Sequence, residues 1–196
     1  MKTVSEKKEC IIEIKKSKFI SYAIPVNSEE DVDTELNNIR LQHNSATHVT
    51  YAYVLYSPSL EKCSDDGEPG GTAGKPILEN IKRRNLQNIL VVVVRYFGGI
   101  KLGAGGLVRA YSNSAKEVLE ISDVKELNYH KIFEVEITID NKYLIENSAN
   151  MKVLDIDYSR IGEKKVIYKL AINLDEDVTM VKNIASGFRL IEERLM

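Results

Sequence analysis

The sequence predicts an α+β protein of two domains, residues 1–127 and 128–196, on three observations. Residues 89–94, ILVVVV, are an apolar and largely β-branched run, the composition of a strand buried on both faces. Arg95, Tyr96 and Phe97 follow, then five glycines in nine positions (Gly98, Gly99, Gly103, Gly105, Gly106). Helical spacing begins at about Leu107, with Leu107, Val108, Tyr111, Ala115, Val118 and Leu119 on one face. After a connector at 121–130, the chain reads strand, helix, strand, strand, helix, strand, the order of a ferredoxin-like split βαβ sandwich.

Taken from the N-terminus, residues 9–15 read as a strand through the alternation of Cys10, Ile12 and Ile14, and residues 19–26 as a second. Lys15, Lys16 and Lys18 lie between them. Ser28 is a good helix N-cap; Glu29, Glu30 and Asp31 suit the positive end of the helix, and Val32, Leu36 and Ile39 supply its apolar stripe, which ends at 43–45. Residues 46–56 are rich in tyrosine and β-branched side chains and predict a strand. Residues 57–74 lack large apolar side chains after Leu60 and predict a loop. Lys75-Pro76 opens a short helix with proline in its first turn, buried through Ile77, Leu78 and Ile81 and ended by Arg83, Arg84 and Asn85. In the second domain the pattern predicts strands at 131–139, 153–158, 164–174 and 189–194, and helices at 143–150 and 176–186.

The charge is uneven. Eight basic residues between Lys75 and Lys116 face Glu79 alone, so that segment carries +7 and the rest −9, against a net charge of −2. Concentrated positive charge focuses a field on a localised anionic partner, although pairing with acids elsewhere in the fold would quench it. Cys10 and Cys63 are the only cysteines and have no metal-like spacing, which predicts a reduced, cytoplasmic setting. No uncharged apolar run approaches a membrane span, so no membrane partner is expected.

Strand, glycine-rich turn and helix is an arrangement that aims backbone N–H groups and a helix N-terminus at an anion. Neither a Walker loop nor G-x-G-x-x-G is present, so no nucleotide cofactor is expected. Arg95, Lys101 and Arg109 flank the turn and are candidate phosphate-facing cations, joined by Lys75 and Thr72 from the preceding loop and by Gly98, Gly99, Gly103, Gly105 and Gly106. Tyr96 and Phe97 are candidates for base stacking, with packing at a strand end as the alternative for each ring. Asp65, Asp66 and Glu68 crowd the 57–74 loop. The calcium-loop order fails there, so an ordered acidic loop whose carboxylates satisfy backbone donors is expected over a metal site. His48 is a possible acid or base beside Asp65 or Asp66, but no third group is assigned to orient it.

Three stretches, SDDGEPGGTAGKPIL (64–78), VVVVRYFGGIKLGAGGLVRAY (91–111) and KKSKFI (15–20), closely resemble the YigZ/IMPACT family in order and spacing. The resemblance covers nearly all of residues 1–125; the second domain resembles the family's bacterial C-terminal module, itself similar to the fifth domain of elongation factor G. It implies a first domain like the second domain of small-subunit ribosomal protein five, of βαβ type. It further implies a translation-associated role, since eukaryotic relatives regulate translation by competing for a ribosome-associated activator of a starvation kinase. For bacterial members the implied activity is RNA or ribosome binding. Where the family often reads His-x-Cys-x-Ala, this chain has His48-Val49-Thr50-Tyr51-Ala52, so a cysteine nucleophile is not available. The expectation is a non-enzymatic binder of RNA, the ribosome or a translation-regulatory protein. Two alternatives stand beside it: a phosphoryl-transfer enzyme or hydrolase using the DDGE loop and glycine turn, and a protein-interaction module alone.

Overall fold

The computed structural model describes residues 1–195. Its strands and helices run β1 (Lys2–Val4), β2 (Lys8–Ile14), β3 (Ser17–Pro25), α1 (Glu29–Gln42), β4 (His48–Leu55), β5 (Leu60–Ser64), α2 (Gly74–Arg83), β6 (Ile89–Tyr96), α3 (Ala104–Glu120), β7 (Val124–Glu126), β8 (Tyr129–Thr138), α4 (Lys142–Glu146), β9 (Met151–Asp157), β10 (Lys165–Asn173), α5 (Thr179–Ile184) and β11 (Ala185–Leu195). The chain divides into two compact units, Met1–Glu126 and Leu127–Met196.

In the first unit a five-stranded sheet has the order β2-β3-β6-β4-β5, every neighbour antiparallel. β3, α1 and β4 form a βαβ unit split by β6, which runs between and against both strands. The two faces of β6 are both covered. Leu90, Val92 and Val94 pack with Val32, Leu36 and Ile39 of α1. Val91 and Val93 pack with Ile77 and Ile81 of α2 and with Leu107, Ala110 and Tyr111 of α3. An apolar run with no polar alternation therefore sits where a sheet has helices on each side.

α1 starts as its composition dictates: Ser28 Oγ accepts from Asp31 N at 3.1 Å, and three acidic residues fill the first turn. Its C-cap, His43, ties the helix to the sheet, with Nε2 2.7 Å from Tyr22 Oη and Nδ1 2.9 Å from Tyr96 Oη.

The second unit is a sheet of order β11-β8-β10-β9, antiparallel throughout. Ile145 of α4 and Val181 of α5 pack with Phe133, Val135 and Ile137 of β8 and Val166, Tyr168, Leu170 and Ile172 of β10. The strand–helix–strand–strand–helix–strand order matches the expected one, but the helices are short. α4 and α5 occupy Lys142–Glu146 and Thr179–Ile184 where 143–150 and 176–186 were expected, and β11 takes residues from 185 onward.

Three further differences have local causes. The stretch 57–74, expected to be loop throughout, contains β5, whose residues pair with β4 from Tyr51↔Ser64 to Leu55↔Leu60. An edge strand exposed at Glu61, Lys62 and Cys63 needs only backbone pairing and leaves no apolar alternation to read. The 121–130 connector contains β7, paired with β1 over three residues that are all exposed on the β7 side. α3 starts at Ala104, three residues before its first apolar contact, because Gly103 adopts φ 71° and its carbonyl accepts the first helical bond from Leu107.

His43 makes stability depend on pH. Burial holds its pKa below the ordinary histidine value of 6.5; Lys18 acts in the same direction and Glu9 opposes it. The unfolded chain therefore binds the proton first, and stability falls as pH drops below about 6.5 until the folded ring titrates. Urea midpoints across pH 5–7 are expected to fall less steeply for His43→Gln than for the wild type; equal slopes would contradict this account.

Candidate functional site

The acidic loop is ordered by its own carboxylates. Asp65 accepts from Gly71 N at 2.7 Å and from Ala73 N and Gly74 N at 2.9 Å each. Ala73 is the N-cap of α2 and offers no side-chain oxygen, so Asp65 supplies the cap from eight positions upstream. Burial pushes the Asp65 carboxyl up, but these three N–H donors outweigh it and hold the pKa below the ordinary 3.8. Asp66 accepts from Val49 N at 2.6 Å, and its carbonyl lies 2.7 Å from His48 Nδ1. That carbonyl fixes the ring with its proton on Nδ1 and leaves Nε2 3.8 Å from Glu68 Oε1.

Glu68 is the inward member of the loop, with its side chain 3% exposed. Its Oε1 accepts from Arg95 Nη1 at 2.5 Å and from Tyr111 Oη at 2.7 Å. Burial, reinforced by Glu68, pushes the Tyr111 hydroxyl far above its ordinary pKa, so the tyrosine stays a donor. Tyr111 packs edge-on against Phe19 at 5.3 Å, and the Arg95 guanidinium lies 5.6 Å from the Phe19 ring and 5.5 Å from that of Phe97. Arg95 Nε has no partner among the described residues.

The residues singled out in the sequence therefore separate into two groups. Arg95 is 5% and Thr72 6% exposed; the first pairs with Glu68 and the second donates to Pro69 O at 2.6 Å, so neither offers a free polar head to a phosphate. Tyr96 spends its hydroxyl on His43 and packs against the α1 side of the core. Lys75, Lys101, Arg109, Gly99, Gly103 and Gly105 are exposed, and Phe97 is 45% exposed. Asp65, Asp66 and Glu68 are all engaged within the fold. Among the described residues, no group of three or more His, Cys, Asp or Glu side chains is arranged to hold a metal ion.

Of the eight basic residues from Lys75 to Lys116, four are paired: Lys82 with Glu61, Arg84 and Lys116 with Glu120, and Arg95 with Glu68. Lys75, Arg83, Lys101 and Arg109 form no ion pair among the described residues. A further group joins them across 81 residues of sequence. Gly98 N donates to Ser17 Oγ at 3.2 Å, and a Cβ at Gly98 would lie 1.9 Å from Lys16 O. Glycine at 98 thus lets the β2–β3 hairpin turn seat directly on the glycine turn. That hairpin turns through Lys15 and Lys16 at φ 48° and 66°, a two-residue turn with both φ positive, held by lysines instead of the glycine or asparagine that such turns favour. Lys16 is thereby placed against Gly98, with Lys15 beside it in the turn, whereas Lys18 pairs with Tyr96 and lies on the α1 side of the sheet, near His43. Their clustering in KKSKFI was the available signal; only the Gly98 contact shows where the Lys15–Lys16 turn goes. α3 opens next to this surface with no side-chain cap and no acidic residue in its first turn.

The Impact N-terminal domain family model matches residues 15–119. The chain belongs to the IMPACT family. Among IMPACT relatives, it is similar to the family member YvyE of Bacillus subtilis, 47% identical over 131 residues that cover 66% of this chain and 60% of the relative. YigZ of Escherichia coli is 42% identical over 110 residues, 55% of this chain and 54% of that one. Human Protein IMPACT is 33% identical over 111 residues, 54% of this chain and 34% of its own length. The chain thus spans less than two thirds of the length of these curated relatives. A crystal structure of a hypothetical protein is similar over 97% of both chains, at 27% identity and a TM-score of 0.69. The IMPACT match contains the whole Glu68–Arg95–Tyr111 constellation and the glycine turn.

Two outcomes test this geometry. Glu68→Ala leaves Arg95 buried without its carboxylate and is expected to lower unfolding free energy by about 3–5 kcal/mol, whereas the Glu68→Leu/Arg95→Met pair loses much less, read by urea denaturation. Gly98→Ala forces the two turns apart and is expected to cost about 1–3 kcal/mol in the same assay.

Proposed function

We propose that this IMPACT-family chain is a translation-associated regulator that acts by binding, and that its Met1–Glu126 unit engages RNA on the ribosome. The observation that carries the reading is the seating of Gly98 on the Lys16 carbonyl. It brings the Lys15–Lys16 turn onto the glycine turn, and in this reading these join Lys101 and the uncapped start of α3 with Arg109 as one phosphate-receiving surface. Unpaired cations, exposed backbone amides and a positive helix end are the groups that receive phosphate oxygens. Phe97, half-exposed at the centre of this surface, offers one ring face to a base. The hairpin turn holds two lysines in the left-handed region, a strained conformation of the kind that collects at binding sites. Asp65, Asp66 and Glu68 serve in this reading to hold the scaffold, with Arg95 as their anchor instead of a phosphate contact.

The test is co-sedimentation of the purified chain with ribosomes and separated subunits at about 50 and 200 mM salt, a range over which phosphate contacts lose most of their strength. The wild type is expected to co-sediment at the lower salt and to be released at the higher, and a folded Lys101→Glu/Arg109→Glu variant is expected to stay in the supernatant. No co-sedimentation at low salt overturns the reading. Co-sedimentation that excess free RNA does not displace would point to a protein partner instead.

A further inference from the structure

Between α2 and α3 lies a cleft of about 250 Å³, lined on its apolar side by Pro76 and Val108. Asn80, 95% buried, joins the two helices across it: its Nδ2 donates to Pro76 O at 2.9 Å and to Ser112 Oγ at 3.0 Å. Both amide protons are thereby used. The cleft is smaller than the roughly 300–1,000 Å³ of sites for drug-sized ligands, which suits a single ring-sized group.

Lys75, Glu79 and Arg83 line the same cleft at i, i+4 and i+8 of α2, all three exposed. This spacing invites ion pairs along the helix, yet none of the three forms one within 4.0 Å among the described residues. The cleft thus presents a carboxylate between two cations, none of them in a close ion pair, beside Asn80 and an apolar wall; Lys82, one turn along the helix, is within electrostatic range of Glu79. A carboxylate demands a donor edge from the occupant, while the flanking cations demand negative charge on either side of it.

We propose that this cleft takes one unstacked base bearing an exocyclic amino group, such as cytosine, from single-stranded RNA. Glu79 accepts from the amino group, Pro76 and Val108 contact the ring, and Lys75 and Arg83 hold the flanking phosphates. The proposal rests on the reading of this unit as an RNA binder and adds to it a base preference at a second place on the surface.

Cytosine and uracil share a ring and differ where an amino donor is replaced by a carbonyl acceptor, so hexacytidylate and hexauridylate are the probes, compared by fluorescence anisotropy at one low salt. The wild type is expected to bind hexacytidylate about tenfold more tightly, a modest value for a specific base contact. Glu79→Ala, at an exposed helical position, is expected to bring the ratio close to one, and Lys75→Ala/Arg83→Ala to weaken both hexamers while keeping the ratio. Equal wild-type affinities overturn the proposal, as does binding of neither hexamer. If ribosome co-sedimentation persists while the hexamers are not distinguished, the cleft assignment alone falls. If the hexamers are distinguished without ribosome binding, the cleft assignment stands and the ribosome reading falls. Tighter binding of hexaglutamate than of either RNA, lost in Lys75→Ala/Arg83→Ala, assigns the cleft to an acidic peptide and also overturns the proposal.

Discussion

The first unit depends on one buried carboxylate. Glu68 comes from a loop with almost no apolar side chains, and a loop of that kind has little to hold it to a core. Its attachment is electrostatic and directional: the guanidinium of Arg95 from the central strand and the hydroxyl of Tyr111 from the long helix converge on one oxygen. An ion pair so far from water is expensive unless its hydrogen bonds are well placed, and here both donors lie within 2.7 Å. Strand, helix and loop are thereby fixed to one another at a single point, and the glycine turn between β6 and α3 is held at both of its ends.

That same pairing reshapes the surface charge. The basic segment running from α2 to α3 is divided by the fold into residues that neutralise acids and residues that do not. Arg95 is taken up internally, Lys82 by Glu61 of β5, and Arg84 and Lys116 by Glu120 of α3. What remains outward is a smaller set, Lys75, Arg83, Lys101 and Arg109, augmented by the lysines of a hairpin that the sequence places far away. A chain of net charge −2 can in this way present a cationic face without being a basic protein.

The sequence was most legible where periodicity and capping agree. Residues 89–94 had no polar alternation, and β6 is covered on both faces; Ser28 with three acids behind it marked the start of α1 to the residue. It was least legible where an element is held by its backbone alone. β5 and β7 present charged or exposed side chains, and only their partners β4 and β1 reveal them. The chemistry of the site was partly hidden for a related reason. Lys101 and Arg95 look alike in the sequence, both cations beside glycines, but their fates are decided by Glu68, 27 residues before Arg95. The placement of Lys16 against Gly98 likewise has no local signature, because close backbone approach leaves a mark only at the glycine.

The distant capping of α2 by Asp65 ties formation of that helix to closure of the loop before it. An ordinary N-cap lies next to the helix it serves, so the helix can begin on local information. Here the first amides of α2 take their acceptor from Asp65, which directly follows β5 and its pairing with β4. Hairpin, loop and helix are thereby coupled through shared hydrogen bonds. A change at Asp65 bears directly on the start of the helix that carries Lys75 and Glu79, because the scaffold and the groups it displays share these hydrogen bonds.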